Sequence, residues 1–189
     1  MQLSKDNVLT ITTIALVTIS VVFYTWTVVK KNNEATEEVS PAQQSLENDP
    51  LATYTDLNGN LVILSDFVGE VLIVNSWASW CPACVSEMKE LTELYEKYKN
   101  EGVKVIGINR AEPGTTAQSF LKFINAEEKI LLVLDASDKY YKSIGGYTMP
   151  ETLFYDRNGE IVHHQHGELT PAEMHKYLDK ALAVPQNNE

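Results

Sequence analysis

Residues 76–88 have the sequence SWASWCPACVSEM and hold the only two cysteines of the chain, Cys81 and Cys84. A Cys-x-x-Cys pair occurs as a structural disulfide, as half of a metal site, as a haem attachment point or as a redox centre. A bridge across so short a loop removes little chain entropy, so a purely structural role is a weak explanation. Haem attachment needs a histidine directly after the second cysteine, and Val85 stands there. Metal binding and redox chemistry remain the main alternatives.

The segments on either side of the pair predict a strand before it and a helix after it. Residues 70–78 form a nearly continuous apolar run, as in a strand buried on both faces. Residues 82–100 carry an apolar stripe at helical spacing. If Cys81 is the N-cap, Pro82 is the first helical residue, where its missing N–H costs nothing. The positive end of the helix dipole then stabilises a thiolate at Cys81, which favours redox chemistry.

A zinc site built on the cysteine pair would need two further ligands. The chain has no second Cys-x-x-Cys, and its only histidines are His163, His164, His166 and His175. These histidines fall on a predicted hairpin and helix near the C-terminus, where we expect solvent-exposed polar positions. The ligand set is incomplete, so the sequence predicts no metal site and no cofactor.

The remaining pattern predicts strands that alternate with helices. Asn58 and Gly59 mark a hairpin turn, and a second buried strand is predicted over 102–109. Thr115 or Thr116 is expected to cap the next helix.

Further along, the sequence predicts a strand over 130–135, one or two helical turns within 137–146, and a hairpin with its turn at Asn158 and Gly159. The last helix is predicted to have Thr170 as cap and Pro171 as its first residue. This order predicts an α/β fold with a central mixed β-sheet covered by helices on both faces.

The N-terminal part of the chain has a different composition. Residues 8–29 contain no charge and would span about 33 Å as a helix, close to the thickness of a bilayer core. A cleaved signal peptide is the alternative, but this apolar region is longer than usual and no small-x-small site follows. We predict a transmembrane anchor over 1–31, an acidic flexible linker over 32–50, the folded domain over 51–185, and a tail over 186–189.

The distribution of charge bears on partners and on orientation. The net charge is −11 and no Lys/Arg cluster is present, so nucleic acid is excluded as a partner. Lys30 and Lys31 follow the apolar stretch, whereas Lys5 and the N-terminus precede it. The positive-inside rule, taken alone, mildly favours a cytoplasmic C-terminal domain.

Three stretches together resemble one family. VNSWASWCPAC, residues 74–84, resembles the thioredoxin superfamily, and CPAC with Trp80 before it is similar to the TlpA, ResA and DsbE branch. The preceding segment 56–78 and the later segment MPETLFYDRNGEIVHHQHGELTP, 149–171, are similar to the same branch. The likeness covers about residues 52–183. It implies a thioredoxin-like fold and a membrane-anchored thiol-disulfide oxidoreductase whose C-terminal domain lies outside the bacterial cytoplasmic membrane.

The resemblance also implies roles for individual residues. Cys81 and Cys84 would form the redox-active disulfide, and Cys81 would attack the client. Pro150 would be a cis-proline that leaves the backbone of Met149 free to pair with an extended client segment. Glu87 would accept a proton from the resolving thiol of Cys84. An ordinary strand-entry proline and a solvated surface glutamate are the alternative interpretations of Pro150 and Glu87.

The resemblance also bears on two tryptophans and on the client proteins. Trp80 is expected at the rim of the client groove and Trp77 in the core. The resemblance implies reduction of client disulfides, among them apocytochrome c, and a membrane electron donor of the DsbD or CcdA type. Thr148 and Met149 stand where the family usually has small residues, which bears on client preference. The rival functions are a copper chaperone using both cysteines and a histidine, and a thioredoxin-fold peroxidase, whose Pro-x-x-x-Thr-x-x-Cys pattern is absent.

Overall fold

The computed structural model of the protein describes Ser20, residues 23–26 and residues 53–186. These residues fall in two compact units divided between Val39 and Ser40. In the first unit, Ser20 and residues 23–26 are helical. Within the described parts of the chain, no helix has both the length and the apolar character needed to cross a bilayer. The rest of the predicted anchor, 1–31, and the whole predicted linker, 32–50, lie outside the described residues.

One mixed sheet organises residues 53–186, with the strand order β2-β1-β5-β4-β3-β6-β7. The three central strands β5, β4 and β3 are parallel to one another, and the outer strands pair antiparallel. The predicted central mixed sheet is therefore confirmed. The strands are β1 Thr53–Asp56, β2 Leu61–Ile63, β3 Val71–Trp77, β4 Val103–Arg110, β5 Leu131–Asp135, β6 Glu151–Tyr155 and β7 Ile161–His166.

Helices cover the two faces of this sheet. The first begins at the predicted residue and ends two residues before the predicted Asn100, because the chain tightens into a short 3-10 turn before Gly102, whose φ is 75°. The last has the predicted Thr170 cap, which forms a reciprocal capping box with Glu173. The α-helices are α1 Pro82–Tyr98, α2 Gly114–Phe123, α3 Lys139–Ser143 and α4 Pro171–Leu182, with 3-10 helices at Leu64–Phe67 and Lys99–Glu101.

The start of α2 differs from the prediction. Neither Thr115 nor Thr116 is the cap, because the helix already begins at Gly114 and Pro113 occupies the N-cap position without a side-chain bond. The φ of Pro113 is −60°, and its carbonyl accepts a hydrogen bond of 2.9 Å from the Thr116 N–H. The proline ring fixes this φ, so the backbone can turn at Pro113 without a side-chain cap. The helix therefore begins before Thr115.

The central strand β3 divides the core into two layers. Val71, Ile73 and Trp77 belong to the layer that α1, α2 and α4 cover, while Leu72 and Val74 belong to the opposite layer. Alternate residues of a strand point to opposite faces, so an apolar run of this kind is buried on both sides. Trp77 is fully buried, which confirms its predicted place in the core.

The sheet register brings two distant chain segments to one end of the molecule. Ser76 near the end of β3 pairs with Glu151 at the start of the antiparallel strand β6. The turn that leads from β3 to Cys81 and the Met149–Pro150 bond that leads into β6 therefore lie at the same end of the sheet.

Candidate active site

The two cysteines occupy the start of α1 and are joined as a disulfide, with Cα atoms 5.2 Å apart. Cys81 is the N-cap in an extended conformation, and Pro82 is the first helical residue, as predicted. The backbone N–H of Cys84 donates a hydrogen bond of 3.1 Å to Cys81 Sγ. Cys84 is fully buried, whereas Cys81 retains a small exposed fraction of 5%. The more exposed residue of the pair is therefore the one at the helix terminus.

This placement determines which sulfur can carry negative charge after reduction. The first turn of a helix presents unpaired N–H groups and the positive end of the helix dipole. The Cys81 sulfur already accepts one of these N–H groups, so the helix stabilises a Cys81 thiolate. A stabilised thiolate next to a second thiol can form and open a disulfide reversibly.

The turn before Cys81 is held by a residue that the sequence did not reveal. Glu112, after β4, accepts hydrogen bonds from the N–H of Ser79 at 2.8 Å and from the hydroxyl of Ser79 at 2.6 Å. The side-chain amide of Asn109 donates to the same carboxylate at 2.7 Å. Glu112 therefore fixes the segment from which the cysteine pair extends. Only the pairing of β4 with β3 brings it there, so no local pattern identifies it.

Glu87 lies one turn after Cys84 on α1 and is buried, with 1% of its surface exposed. The alternative of a solvated surface glutamate is therefore wrong. Its Oε1 accepts hydrogen bonds from the side chains of Asn75, at 2.9 Å, and Thr152, and its Oε2 accepts one from the Leu169 N–H at 2.9 Å. A sequence signal existed, because Glu87 precedes the buried Leu91 by four residues and so falls on the apolar stripe.

Burial changes the acidity of this carboxyl group. Removal from water disfavours the charged form and raises the pKa of Glu87 to about 7, while the hydrogen bonds from Thr152, Leu169 and Asn75 act in the opposite direction. A carboxyl group with this pKa exists in both protonation states near neutral pH. It can therefore take up or release a proton beside the cysteine pair.

The second segment of the site is the loop that enters β6. The Met149–Pro150 bond is cis, as predicted, and Pro150 is buried. Its carbonyl accepts a hydrogen bond of 2.9 Å from the Gly167 N–H. Within residues 53–186, the N–H and carbonyl groups of Met149 form no hydrogen bond. The backbone of Met149 is therefore able to pair with an added chain, and its role in client binding stays a prediction.

Glu151 holds the loop that precedes Pro150 through hydrogen bonds, a role that the sequence analysis did not predict. Its Oε1 accepts hydrogen bonds from the N–H groups of Tyr147, at 3.0 Å, and Thr148, at 3.2 Å. The hydroxyl of Tyr141 donates to the Thr148 carbonyl at 2.8 Å. The aromatic rings of Tyr147 and Trp80 remain largely exposed, by 74% and 65%. Exposed aromatic rings on the cysteine turn and on the loop that enters β6 are suited to contact another protein.

The histidines differ from the expectation of solvent-exposed positions. His163, His164 and His166 on β7 are half-buried, and so is His175 on α4. The ring of His163 stacks on Tyr177 of α4, with ring centroids 3.4 Å apart. His164 and His166 instead lie against Glu151. Among the described residues, the cluster of His, Cys, Asp and Glu side chains close enough to share a metal ion contains neither cysteine.

Comparison with known proteins identifies the family of this fold and site. Residues 30–182 match the Redoxin family. The chain belongs to the Redoxin family. ResA of Bacillus thuringiensis subsp. konkukian is 28% identical over 131 residues, which cover 69% of this chain and 75% of the relative. ResA of Bacillus cereus strain ZK is 33% identical over 134 residues with the same coverage.

A solved structure agrees with this assignment. A thiol:disulfide interchange protein of the DsbE type from Chlorobium tepidum superimposes with a TM-score of 0.64 at 26% identity, covering 69% of this chain and 92% of its own. Both ResA relatives are named thiol-disulfide oxidoreductases. This Redoxin is accordingly a thiol-disulfide oxidoreductase with a thioredoxin-like fold, as the sequence resemblance implied.

Proposed function

We propose that this thiol-disulfide oxidoreductase is anchored in a bacterial cytoplasmic membrane and reduces disulfides of partner proteins on its outer side, with apocytochrome c as client. The observation that carries the proposal is the juxtaposition of the cysteine pair with a stretch of backbone that has no hydrogen-bond partner within residues 53–186. The Cys81 sulfur lies at the start of α1, and the unpaired backbone of Met149 lies at the same end of the sheet. A client segment added beside Met149 would present its disulfide to Cys81.

The reaction exchanges one disulfide for another. The Cys81 thiolate attacks one sulfur of the client disulfide, and the other client sulfur leaves as a thiolate that takes a proton from solvent. Cys84 then loses its proton and attacks the Cys81 sulfur of the mixed disulfide. The second client thiolate leaves and is protonated, so two electrons pass from the cysteine pair to the client.

Glu87 supplies the proton acceptor for the second step. The residue lies three positions after Cys84, the spacing of neighbours on one helix face. Because its pKa is raised to about 7, a large share of the group is ionised near neutral pH and can accept the Cys84 proton. A solvent-exposed carboxylate of ordinary acidity would be a much weaker base.

The choice of client rests on the groove and on the family resemblance. The unpaired Met149 backbone favours an extended segment, and such a segment surrounds the haem-binding cysteines of an unfolded apocytochrome. Trp80 on the cysteine turn and Tyr147 on the loop that enters β6 offer exposed aromatic contacts. Thr148 and Met149 replace the small residues usual in the family, so the groove selects among extended clients by side-chain size.

The location rests on the N-terminal sequence and on the same resemblance. Residues 8–29 are uncharged over a length that suits a bilayer. Lys30 and Lys31 act against an outer C-terminal domain by the positive-inside rule, but the bias is small: two lysines stand against Lys5 and the terminal amine on the other side. An enzyme on the outer side has no cytoplasmic reductant at hand. A membrane electron donor of the DsbD or CcdA type would therefore return the cysteine pair to the dithiol form.

A client-trapping experiment tests the proposal. The full-length Cys84→Ser variant, reduced and then mixed with an oxidised peptide carrying an apocytochrome Cys-x-x-Cys-His segment, is expected to accumulate a mixed disulfide through Cys81. The wild-type chain should reduce the same peptide and release it, and Cys81→Ser should do neither. A control peptide with its disulfide in a folded hairpin should react more slowly. Equal rates for both peptides would refute the extended-client assignment, and absence of any adduct would refute the reductase mechanism.

A further inference from the structure

A cluster of ionisable side chains separate from the cysteine centre lies at the start of β6. Glu151 Oε2 lies 2.9 Å from His164 Nε2 and 2.6 Å from His166 Nδ1. The three potential ligand atoms lie within 4.8 Å of one another. The Glu151 side chain is fully buried, whereas those of His164 and His166 are 22% and 34% exposed. The cluster is closed on the carboxylate side and open to solvent on the imidazole side.

The strand register separates this cluster from the thiol chemistry. Thr152 contacts Glu87 on the α1 face of the sheet, so its neighbour Glu151 points to the opposite face. In the pairing of β6 with β7, His166 is opposite Glu151 and His164 is opposite Leu153, on that same face. Glu87 and the Glu151 cluster are therefore distinct sites on the two faces of one strand.

The buried carboxylate of Glu151 takes its hydrogen bonds from two loop N–H groups and from the rings of His164 and His166. Within residues 53–186, its ion-pair contacts are to the two histidines, and no lysine or arginine reaches it. Its Oε1 is occupied by the two N–H groups of the loop, while Oε2 faces the imidazoles. A buried carboxylate requires a counter-charge or a full set of hydrogen bonds. A cation held between Oε2 and the two rings would replace the two imidazole hydrogen bonds and supply the counter-charge.

We propose that Glu151, His164 and His166 bind a divalent transition-metal ion of the zinc type, with the remaining coordination position open to water. Two imidazoles and one carboxylate form a ligand set that suits Zn²⁺ and leaves an open position. Imidazole nitrogen selects transition metals over Ca²⁺ and Mg²⁺, which take oxygen ligands. The ligand set contains no cysteine, so the site does not depend on the redox state of the pair.

The geometry fits an ion after a small adjustment. Bonds of about 2.0 Å place tetrahedral ligand atoms about 3.3 Å apart. The present Glu–His contacts of 2.9 Å and 2.6 Å must therefore widen by less than about 1 Å, and the two ring nitrogens, which lie within 4.8 Å of each other, must take up the same spacing. His166 is the last residue of β7 and is the more exposed of the two rings, which leaves room for this movement. Glu151 stays in place because the loop N–H groups hold its other oxygen.

Metal binding at this site acts on the loop beside the cysteines. Glu151 would bind the proposed ion with Oε2. Its other oxygen, Oε1, accepts hydrogen bonds from the N–H groups of Tyr147 and Thr148. The Tyr147 ring lies 4.6 Å, between centroids, from the ring of His166. Outer hydrogen bonds of this kind orient a ligand and are stabilised in turn by the ion. The ion therefore stabilises the segment that leads to Met149.

The test measures metal binding on the oxidised, full-length chain, produced without a histidine tag and stripped of metal by a chelator. The closed disulfide removes the thiolates as ligands, so reductase activity plays no part in the result. Equilibrium dialysis against Zn²⁺ is expected to give one ion per chain. His164→Gln and His166→Gln should each weaken binding by at least about tenfold. Amide exchange at Tyr147 and Thr148 should slow when Zn²⁺ is added.

Matched variants separate this site from weak binding to an acidic surface. His163 directly precedes the two ligands on β7 but its ring stacks on Tyr177, and His175 lies on α4. Neither His163→Gln nor His175→Gln should therefore change the affinity for Zn²⁺. Urea unfolding confirms that each variant is folded. Co²⁺ in place of Zn²⁺ should give the visible absorption of a low-coordinate site, lost in His166→Gln. Absence of stoichiometric binding, or equal weakening by His163→Gln, would overturn the proposal and leave the reductase function untouched.

Discussion

The side-chain amide of Asn75 on β3 donates a hydrogen bond of 2.9 Å to the carboxylate of Glu87 on α1. This contact fixes an acid inside the core, three residues after Cys84 on the same helix. The Asn75 amide also donates to Thr152 on β6 at 2.8 Å. Three elements thus meet at one buried carboxyl group, the one that we propose as proton acceptor during resolution of the mixed disulfide.

Replacement of Glu87 by glutamine is expected to slow the second chemical step. Glutamine fills the same volume but cannot accept the Cys84 proton, so resolution should slow by at least about tenfold near neutral pH. Because the pKa of Glu87 is raised to about 7, the ratio of wild-type to variant rate should rise with pH and level off above about pH 7. Stopped-flow measurement of client release from a preformed mixed disulfide gives this rate separately from the first attack.

The exposed Glu93 on the same helix provides a matched control, since Glu93→Gln changes the same charge on the solvent side. Its rate and pH profile should equal those of the wild type. If Glu87→Gln also kept the wild-type rate at every pH, the carboxyl group would have no part in proton transfer, and its burial would be structural.

The acidity of Glu87 also predicts how stability depends on pH. The folded pKa is raised to about 7 from an ordinary value of 4.5, so the folded chain binds the proton more tightly than the unfolded chain. The free energy of unfolding should therefore fall as pH rises from about 4.5 to about 7, by about 3 kcal/mol, and then level off. Urea unfolding of the oxidised chain across this range measures it.

In the Glu87→Gln variant this part of the pH dependence should vanish, because glutamine does not ionise. Stability of the variant relative to wild type should therefore increase across the same pH range, whatever the fixed cost of the substitution. Parallel curves for the two chains would contradict the raised pKa.

Local signals in the sequence predicted the elements that depend on local chemistry. Cys81 followed by Pro82, and Thr170 followed by Pro171, define helix starts through capping groups and a fixed φ, and both starts are found where predicted. The predicted start of α2 was wrong. Pro113 occupies the N-cap position with a φ of −60°, so neither threonine caps the helix.

The contacts that shape the site depend on tertiary pairing instead. Glu112 reaches Ser79 across 33 positions, and Glu151 meets His164 and His166 only once β6 and β7 pair in register. The sequence could predict that His164 and His166 share a face, because residues at i and i+2 on a strand point to the same side. It could not predict that Glu151 would lie opposite them on the neighbouring strand.

Removal of the Glu112 side chain is expected to loosen the cysteine turn. Glu112→Ala leaves the N–H and hydroxyl of Ser79 and the amide of Asn109 without their acceptor, so the free energy of unfolding should drop by about 2 kcal/mol. The exposed Glu127 serves as control, because Glu127→Ala removes the same charge without a comparable contact. Urea unfolding of the oxidised chains measures both. Equal stability of the two variants would show that the hydrogen bonds of Glu112 do not stabilise the cysteine turn.

Labelling of intact cells tests the proposed orientation in the membrane. Cys81 is only 5% exposed, so a more accessible probe is needed. In a chain with both native cysteines replaced by serine, Lys122→Cys places a single thiol on an exposed position of α2. A membrane-impermeant maleimide should label this thiol in intact cells, while a thiol at position 2, Gln2→Cys, should react only after lysis. The reverse pattern would place the domain in the cytoplasm, in agreement with the bias of Lys30 and Lys31, and would exclude the proposed outer clients.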